Sequence, residues 1–437
     1  MVCNLKMTGY GVVLYKEEKN SMKKIIALVI CVLLVVAVFA ACQAEEAAPA
    51  AEEAAEEAAP AEEEAPAEEA PAEEPAEEPA EEPAEEPAGE KSVLSIGFYA
   101  DAADSYYQIM EQAMDGLAKA DPDCEWTIDY QVGQSTATEQ ITAVENFITA
   151  GYDVIVVIQN SADATSECIA KCKDAGIPYF GAAHDFSQVA NAADAAGSCC
   201  YDFVQAGVYT GEYLAEAGAT KIVNIQGVLG QGSAAGQTRG LLQGLVNGGR
   251  KLGAEIDDIM TNESNTKLDG TQDVEIVFWA AGNWAADPAQ KAMTDAITSL
   301  GADGFDAVYV QNNPMCEGVL AAMQDAGLNP SDYLITSCNG REMSWQWAKD
   351  GIVAQDVNQP ASMEGNVLYQ QIKAWSLGQD YRKYVHPYLT SYTKDTICDL
   401  EASLVPVTDV DAFLKGVADG AFVTDLNDPK FIDNAGY

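Results

Sequence analysis

The sequence is poor in basic side chains and almost devoid of histidine. It has 23 lysines and arginines against 69 aspartates and glutamates, a formal net charge of −46, and only two histidines, His184 and His386. This acidic excess argues against nucleic-acid binding, because phosphates are neutralised by lysine and arginine. Neither an H-E-x-x-H metal motif nor a G-x-S-x-G nucleophile elbow occurs. The chain therefore offers no catalytic constellation and predicts neither an enzyme nor a bound metal.

Cysteines are present, but their spacing does not suit zinc. Nine of the 11 cysteines stand at or after Cys42. Cys168 and Cys172 are four residues apart, Cys199 and Cys200 are adjacent, and no paired C-x-x-C motifs occur. Disulfides could form outside the cell, yet this distribution favours free, mostly buried thiols.

An export signal is predicted near the N-terminus. Lys23 and Lys24 precede an unbroken apolar run over residues 25–41. A basic start, an apolar core and small residues before a cleavage site are typical of a secretory signal. The run is shorter than the roughly 20 residues of a spanning helix. We expect residues 1–41 to be this signal peptide, with Met22 as an alternative start.

The signal ends in a cysteine. The sequence Ala-Ala-Cys at residues 40–42 resembles the lipobox of bacterial lipoproteins, in which the cysteine is acylated and becomes the first residue. Cys42 is therefore predicted to be lipidated and to hold the protein on the extracytoplasmic face of the cell membrane. An ordinary cleaved signal followed by an incidental cysteine is the alternative.

Residues 42–91 are predicted to form a disordered linker. Between positions 45 and 90 there is no aromatic or branched aliphatic residue, and 20 of the 69 acidic residues lie there. Such a segment cannot bury enough surface to offset the entropy of ordering. Proline and like-charge repulsion keep it extended, so it could act as a stalk.

The remaining sequence alternates short apolar runs with amphipathic segments. Strands are predicted at 93–98, 127–132, 153–158, 222–226, 274–279, 307–311, 334–337 and 352–357. Helices are predicted at 105–120, 137–150, 163–175, 203–217, 234–252, 288–300 and 315–326. Regular alternation indicates an α/β fold with parallel sheets and helices on both faces. Ligands bind such sheets beyond the carboxyl ends of the strands.

Polar and aromatic residues follow several predicted strands. Asn283 and Trp284 come after the strand at 274–279, and Asn312, Asn339 and Asn358 follow later strands. Asparagine amides both donate and accept hydrogen bonds, as hydroxyl ligands require, and an indole face suits the C–H face of a sugar ring. Glycines at 227–236 occupy the place of a dinucleotide loop, but their spacing is one residue longer than the Rossmann fingerprint.

Residues 93–407 resemble the ribose-type periplasmic sugar-binding proteins of ABC importers. The similarity rests on the segments 145–158, 170–178, 310–318 and 358–360. The resemblance implies the type I periplasmic binding protein fold, with two Rossmann-like lobes of parallel sheet joined by a three-strand hinge. Residues 92–200 and 359–400 would form lobe 1. Residues 201–358 and 401–437 would form lobe 2.

The resemblance also implies a set of ligand-binding positions between the lobes. These positions are Tyr99, Ser105, Tyr106, His184, Asp185, Arg239, Trp284, Asn312, Asn339 and Asn358. Two positions at which the family usually has aspartate are here Ala183 and Asn339, so His184 or Asp185 could substitute. A monosaccharide or polyol is the expected ligand, while another pentose, a modified sugar or a nucleoside-like compound stays open.

The function implied by the resemblance is capture of a small polar solute by a monomeric lipoprotein. The closed form would deliver the solute to an ABC transporter permease without a cofactor. A sensory protein that passes its closed form to a receptor kinase is one alternative, and an exported hydrolase is another.

Overall fold

The computed structural model describes residues 91–186, 189–262 and 269–433, all within one unit, Ala84–Tyr437. The signal peptide, Cys42 and nearly all of the acidic linker predicted from the sequence lie outside the described residues. Strands and helices are numbered below in chain order.

The first sheet has seven strands in the order β13-β11-β5-β4-β3-β1-β2. All neighbours are parallel except β13, which is antiparallel to β11. Its strands are β1 Ser92–Ala100, β2 Cys124–Val132, β3 Val154–Ile158, β4 Tyr179–Ala182, β5 Gly197–Cys199, β11 Tyr384–His386 and β13 Ile432–Asp433. The helices that accompany it are α1 Ser105–Ala120, α2 Ala137–Ala150, α3 Ala162–Ala175, α10 Ala361–Ser376 and α12 Val410–Ala418.

The second sheet has six strands in the order β12-β10-β9-β8-β6-β7. Only β12 is antiparallel to its neighbour. Its strands are β6 Lys221–Gln226, β7 Glu275–Ala281, β8 Ala307–Val310, β9 Leu334–Thr336, β10 Gln355–Asn358 and β12 Thr390–Thr393. Its helices are α4 Phe203–Glu216, α5 Gly232–Asn247, α6 Ile256–Asn262, α7 Ala286–Leu300, α8 Asn313–Asp325, α9 Glu342–Lys349 and α11 Ile397–Leu400.

Burial on both faces explains the continuous apolar strands. All five residues of β3, Val-Ile-Val-Val-Ile, are buried, because alternate side chains enter separate cores on opposite faces of the sheet. Several helices begin at side-chain caps: Asp104 accepts from the amide of Tyr106, and Thr136 accepts from that of Glu139. Two lobes with separate cores result.

Most of the predicted elements are confirmed, and the bounds of α1 and α2 agree with the prediction residue for residue. The short strands β4 and β5 carry little apolar periodicity and were not predicted. Helix α10 was also missed, because its first eight residues are all buried and therefore show no polar stripe. The predicted strand at 352–357 begins three residues too early, since β10 starts at Gln355.

The C-terminal part of the chain divides between the lobes differently from the sequence expectation. Strand β12, expected in lobe 1, pairs with β10 of the second sheet. Conversely, β13 joins the first sheet, and Phe413 of α12 packs in the core of lobe 1. The chain returns to lobe 1 between Leu404, which packs with Tyr392, and Val405, which belongs to the first core. It therefore passes between the lobes at four places, one more than expected.

Helices α4 and α5 pack backbone to backbone through glycines. Gly207 and Gly211 of α4 face Gly240 and Gly244 of α5. A Cβ atom added at any of the four would overlap a main-chain carbonyl oxygen of the facing helix. Only glycine permits this approach.

We predict that Gly240→Ala lowers the free energy of unfolding by about 2 kcal/mol or more, because the new methyl group would overlap the carbonyl oxygen of Val204 and push the helices apart. Thermal denaturation measures the effect. Gly232→Ala is the matched control, since its Cβ would meet nothing within 4 Å. Equal melting temperatures for the two variants would contradict the close-packing argument.

Candidate functional site

A cleft of about 630 Å³ lies between the two lobes. Its first wall is formed by the residues after β1, β2 and β4. Its second wall is formed by those after β6, β7, β8 and β9. Both walls therefore consist of loops at the carboxyl ends of parallel strands, the position at which α/β sheets bind ligands.

Six of the ten residues predicted to bind ligand line this cleft. They are Ser105, Tyr106, His184, Trp284, Asn312 and Asn339. Their contact with a ligand stays a prediction, but the structure brings them together from both lobes.

Tyr99 and Arg239 do not line the cleft. Tyr99 is 2% exposed and packs in a core of lobe 1 with Phe147, and burial raises the pKa of its hydroxyl to about 12. Arg239 lies on the half-exposed side of α5, where its Nη1 atom pairs with Asp257 Oδ1 at 2.8 Å.

Asn358 and Asp185 also lie outside the lining. The Asn358 amide links the lobe crossings instead, because Nδ2 donates to the carbonyl of Val405 at 3.0 Å and Oδ1 accepts from the Val405 amide at 3.1 Å. Asp185 takes part through its main chain, whose carbonyl accepts from Gln159 Nε2 at 2.9 Å.

Trp284 is held over a glycine at the base of the second wall. Its Nε1 donates to Gln231 Oε1 at 2.5 Å, and its carbonyl accepts from Asn312 Nδ2 at 3.1 Å. Any side chain at Gly227 would overlap the indole ring. The Gly227 amide donates to the buried Gln311 Oε1 at 2.9 Å, so the ring rests on a main-chain segment that is itself fixed.

Asn312 and Asn339, the two asparagines predicted to bind ligand that line the cleft, also support its loops. Asn312 Oδ1 accepts from the amide of Met315 at 2.8 Å and so caps α8, while its Nδ2 atom holds the Trp284 carbonyl. Asn339 has φ 88°, and its Oδ1 atom accepts from the amide of Asn313 at 3.4 Å. Neither amide is wholly available to a ligand.

Backbone strain is concentrated at the cleft. Five non-glycine residues of the described chain have φ in the left-handed region, and every one lines the cleft: Ser135, Ala183, Asn283, Trp284 and Asn339. This conformation costs an ordinary residue about 1–3 kcal/mol and persists where the surroundings enforce it, typically at functional sites. Sequence reasoning missed Ser135 as a lining residue.

Asp101 is an acidic residue of the first wall that the sequence prediction overlooked. It directly follows β1 and is 7% exposed. Burial raises the pKa of its carboxyl, although hydrogen bonds from Asn160 and Ser135 act in the opposite direction. Its Oδ1 atom has no hydrogen-bond partner within the described residues. The sequence feature that could have identified Asp101 is a charged residue directly after a buried strand.

Arg341 is a basic residue of the second wall that was also overlooked. Its Nη2 atom donates across the cleft to Ser105 Oγ at 3.3 Å. Glutamine amides surround this polar pair on the second wall and at the crossing between lobes, from Gln231, Gln237, Gln311 and Gln359.

The aromatic residues of the first wall contact buried titratable groups. Tyr106 donates its hydroxyl to Glu364 Oε2 at 2.6 Å, and the Tyr107 hydroxyl lies 3.2 Å from His184 Nε2. Burial lowers the pKa of His184 to about 4 and raises that of Glu364 to about 8, against the opposing effect of the Tyr106 hydrogen bond. Both side chains are therefore mainly uncharged at neutral pH.

A sequence model described as a periplasmic binding protein domain matches residues 96–380. The chain belongs to this family. The predicted two-lobed fold of the type I periplasmic binding proteins is thereby confirmed.

Individual relatives are distant. The xylitol-binding protein of Mycolicibacterium smegmatis is 26% identical over 311 residues, which cover 71% of this chain and 79% of the relative. The periplasmic component of an arabinose ABC transporter from Shewanella sp. ANA-3, with arabinofuranose bound, has a TM-score of 0.60 at 20% identity and covers 74% of this chain and 97% of its own.

A third relative belongs to a signalling system. The fructose-binding periplasmic domain of a hybrid two-component system has a TM-score of 0.60 at 15% identity, covering 75% of this chain and 99% of its own. At such identities the structural likeness shows the fold alone.

As a periplasmic binding protein, the chain is a solute-binding protein that works outside the cytoplasm, and not an enzyme. In residues 91–433, apart from the two short gaps, no group of three or more histidine, cysteine, aspartate or glutamate side chains could hold a metal ion. The helices of these residues include none that is long and apolar enough to cross a membrane. All eight cysteines of the same part are free and seven are buried, as the sequence predicted.

We predict that Glu364 makes the stability of this periplasmic binding protein fall as the pH rises. The folded-state pKa of about 8 lies above the ordinary value of 4.5, so the folded protein binds more protons between these values. The stabilising contribution is complete below about pH 4.5 and is lost as the pH passes 8. Melting temperatures of the ligand-free protein between about pH 6.5 and 9 measure it.

Glu364→Gln should flatten this pH dependence, because the amide stays neutral. Tyr106→Phe should shift it to higher pH, since the lost hydroxyl stabilises the charged carboxylate. The interpretation is wrong if Glu364→Gln retains the wild-type slope.

Proposed function

We propose that the protein captures a small polyhydroxylated solute, a monosaccharide or a related polyol, between its lobes and delivers it to an ABC transporter permease. The observation that carries this proposal is the cleft itself. It lies between the carboxyl ends of two parallel sheets, and all five strained non-glycine residues of the described chain line it.

The lining chemistry supports a hydroxyl-rich ligand. Amide side chains predominate on the second wall, and the amide groups that internal hydrogen bonds leave open can donate to or accept from hydroxyls. The indole of Trp284 offers an apolar face for the C–H bonds of a sugar ring or a polyol chain. The volume of about 630 Å³ is within the range of small-molecule sites.

Delivery to a permease would follow from closure of the lobes. The chain crosses between them near Asn358 and Val405, where paired hydrogen bonds hold two crossings together. A ligand that contacts both walls would stabilise the closed form, whose combined surface a permease could recognise. The name of the arabinose transporter component favours this transport role, and that of the xylitol-binding relative favours a polyol ligand.

A sensory role is the second candidate. The similarity to the fructose-binding domain of a hybrid two-component system favours it, because that domain shares the same fold. The two roles differ in the partner of the closed form, which would be a receptor kinase in place of a permease.

The proposal includes attachment to the membrane through a lipid on Cys42. The lipobox-like ending of the signal and the proline-rich acidic segment after it support this placement. A tethered binding protein stays close to its permease, and an extended linker determines how far it reaches.

We predict that a monosaccharide or polyol raises the melting temperature, because a ligand that binds only the folded state stabilises it. Trp284→Ala should weaken binding of that ligand by about 1–3 kcal/mol and remove its effect on tryptophan fluorescence. Trp126→Phe is the control, since Trp126 lies in β2 and donates to Ser92 Oγ, away from the cleft. Failure of every small polar compound to raise the melting temperature would refute the proposal.

We predict that Cys42→Ser releases the protein from membranes while its ligand affinity stays unchanged, because Asp101 is the first of the described residues to line the cleft. Membrane fractionation of expressing cells and titration of the released protein check the two parts. Retention of the variant in the membrane fraction would refute the lipid anchor and leave the binding function untouched.

A further inference from the structure

Arg341 differs from the other arginines in its surroundings. The chain has four arginines, and Arg341 forms no ion pair with any described residue. Each of the other three pairs with an aspartate: Arg239 with Asp257 at 2.8 Å, Arg250 with Asp273 at 3.8 Å and Arg382 with Asp433 at 2.6 Å. In so acidic a protein, a partly buried guanidinium without a carboxylate is an exception that calls for a physical reason.

Arg341 is the one charged residue on the second wall of the cleft among those described. Its guanidinium makes a single hydrogen bond within the described residues, from Nη2 to Ser105 Oγ at 3.3 Å. The remaining N–H groups of the fork are therefore available to a molecule in the cleft. A guanidinium offers five donors in a plane and matches a carboxylate through two parallel hydrogen bonds.

The backbone beneath Arg341 is fixed in place. Its amide donates to Asn313 Oδ1 at 2.7 Å, and the fully buried Asn313 donates in turn to Asp356 Oδ2 at 2.7 Å. The preceding Gly340 has φ 64°, and its carbonyl accepts from Trp345 Nε1 at 2.8 Å. The root of the side chain is thus preorganised, which lowers the entropy cost of binding.

The first wall offers the opposite chemistry. Asp101 and Asp104 line it, and the buried Asp101 Oδ1 lacks a hydrogen-bond donor within the described residues. His184, the remaining titratable side chain of that wall besides the tyrosines, is mainly uncharged at neutral pH because burial lowers its pKa to about 4. This wall suits hydroxyl donors and repels a negative group, so an anionic ligand would face the second wall.

We propose that the solute is a hydroxylated monocarboxylate, a sugar acid whose carboxylate binds Arg341 and whose hydroxyls face Asp101. This inference rests on the proposed function and narrows its ligand class. A carboxylate partner would remove the cost of leaving a partly buried charge unpaired, and charge-assisted bidentate bonds are the stronger kind. One guanidinium opposite two aspartates matches a single negative charge better than a phosphate dianion.

The test compares acids with their neutral counterparts of similar shape. Gluconate with glucitol, xylonate with xylitol, galacturonate with galactose and glucuronate with glucose are titrated into the mature protein by calorimetry. We expect at least one acid to bind ten times or more tightly than its neutral counterpart. Its affinity should fall more than that of its neutral counterpart as salt is raised, because salt screens a charged contact, although less inside a cleft than at an exposed surface.

Variants test whether Arg341 causes the preference for the acid over its neutral counterpart. Arg341→Met should lower the affinity for that acid at least tenfold, and should lower the affinity for its neutral counterpart by a clearly smaller factor. Arg341→Lys should give an intermediate loss, since an ammonium is a point charge without the planar fork. Arg239→Met, which removes an ion-paired arginine outside the cleft, should retain the preference. Unchanged melting temperatures without ligand confirm that the variants fold.

Each remaining outcome has one meaning. If compounds of the series bind but no acid binds more tightly than its neutral counterpart, the sugar-acid inference is overturned and the proposed solute-binding function stands. The same conclusion follows if Arg341→Lys binds the acid as well as the wild type does. If neither acids nor neutral sugars and polyols bind, the proposed function fails, and this inference fails with it. Should Arg341→Met not fold, the wild-type preference and the Arg341→Lys series decide.

Discussion

Two opposed edges of parallel strands are the constraint on which this structure depends. Hydrogen-bond ladders end at these edges, and the main-chain groups beyond them must find partners in loops and side chains. In the second lobe buried amides fill this role. Gln311 accepts from the Gly227 amide and donates to the Ala234 carbonyl at 3.0 Å. Gln226 accepts from Thr238 Oγ1 at 3.1 Å. These hydrogen bonds hold the loops at this edge in place.

Because the edge is rigid, the fold can hold the loops beyond it in strained backbone conformations. Trp284 can keep φ 60° because three contacts determine its position: Gln231 at the indole nitrogen, Asn312 at the carbonyl and Gly227 beneath the ring. Support of this kind is what a binding site requires, since loosely held side chains lose affinity to their own entropy. The asparagines that line the cleft therefore have two roles. They cap a helix and brace the loops, and they form part of the polar surface of the cleft.

The sequence predicts those parts of the architecture that depend on local patterns of residues. It does not predict the parts that depend on contacts between distant segments. Strand β3 could be identified because five consecutive apolar residues are buried on both faces. Trp284 could be identified because it follows a strand. Arg341 could not, because its reach across the cleft depends on the left-handed turn at Gly340. The two-residue strand β13 was also beyond prediction, since only its pairing with β11 makes it a strand.

Whether a residue predicted from the family resemblance is available to a ligand depends on the neighbours of its side chain. Asn358 occupies a plausible position at a strand end, yet its amide is consumed by Gly340 and Val405 at the crossing between lobes. Arg239 lies in the middle of α5, and a helix not foreseen from the sequence, α6, brings Asp257 to it. The sequence therefore predicts which strand or helix a residue belongs to and where that element ends. Tertiary packing determines which neighbours form hydrogen bonds or ion pairs with its side chain.

The net charge of −46 does not conflict with an anionic solute. Between exposed charges in physiological salt, interactions are largely screened beyond about 8 Å, so an acidic surface affects chiefly the rate of approach. Affinity is determined inside the cleft, where a partly buried guanidinium acts at hydrogen-bond distance and is screened less. Twenty of the acidic residues belong to the segment 45–90 in any case. The sign of the local charge at Arg341, and not the sign of the whole chain, is therefore what a ligand in the cleft would experience.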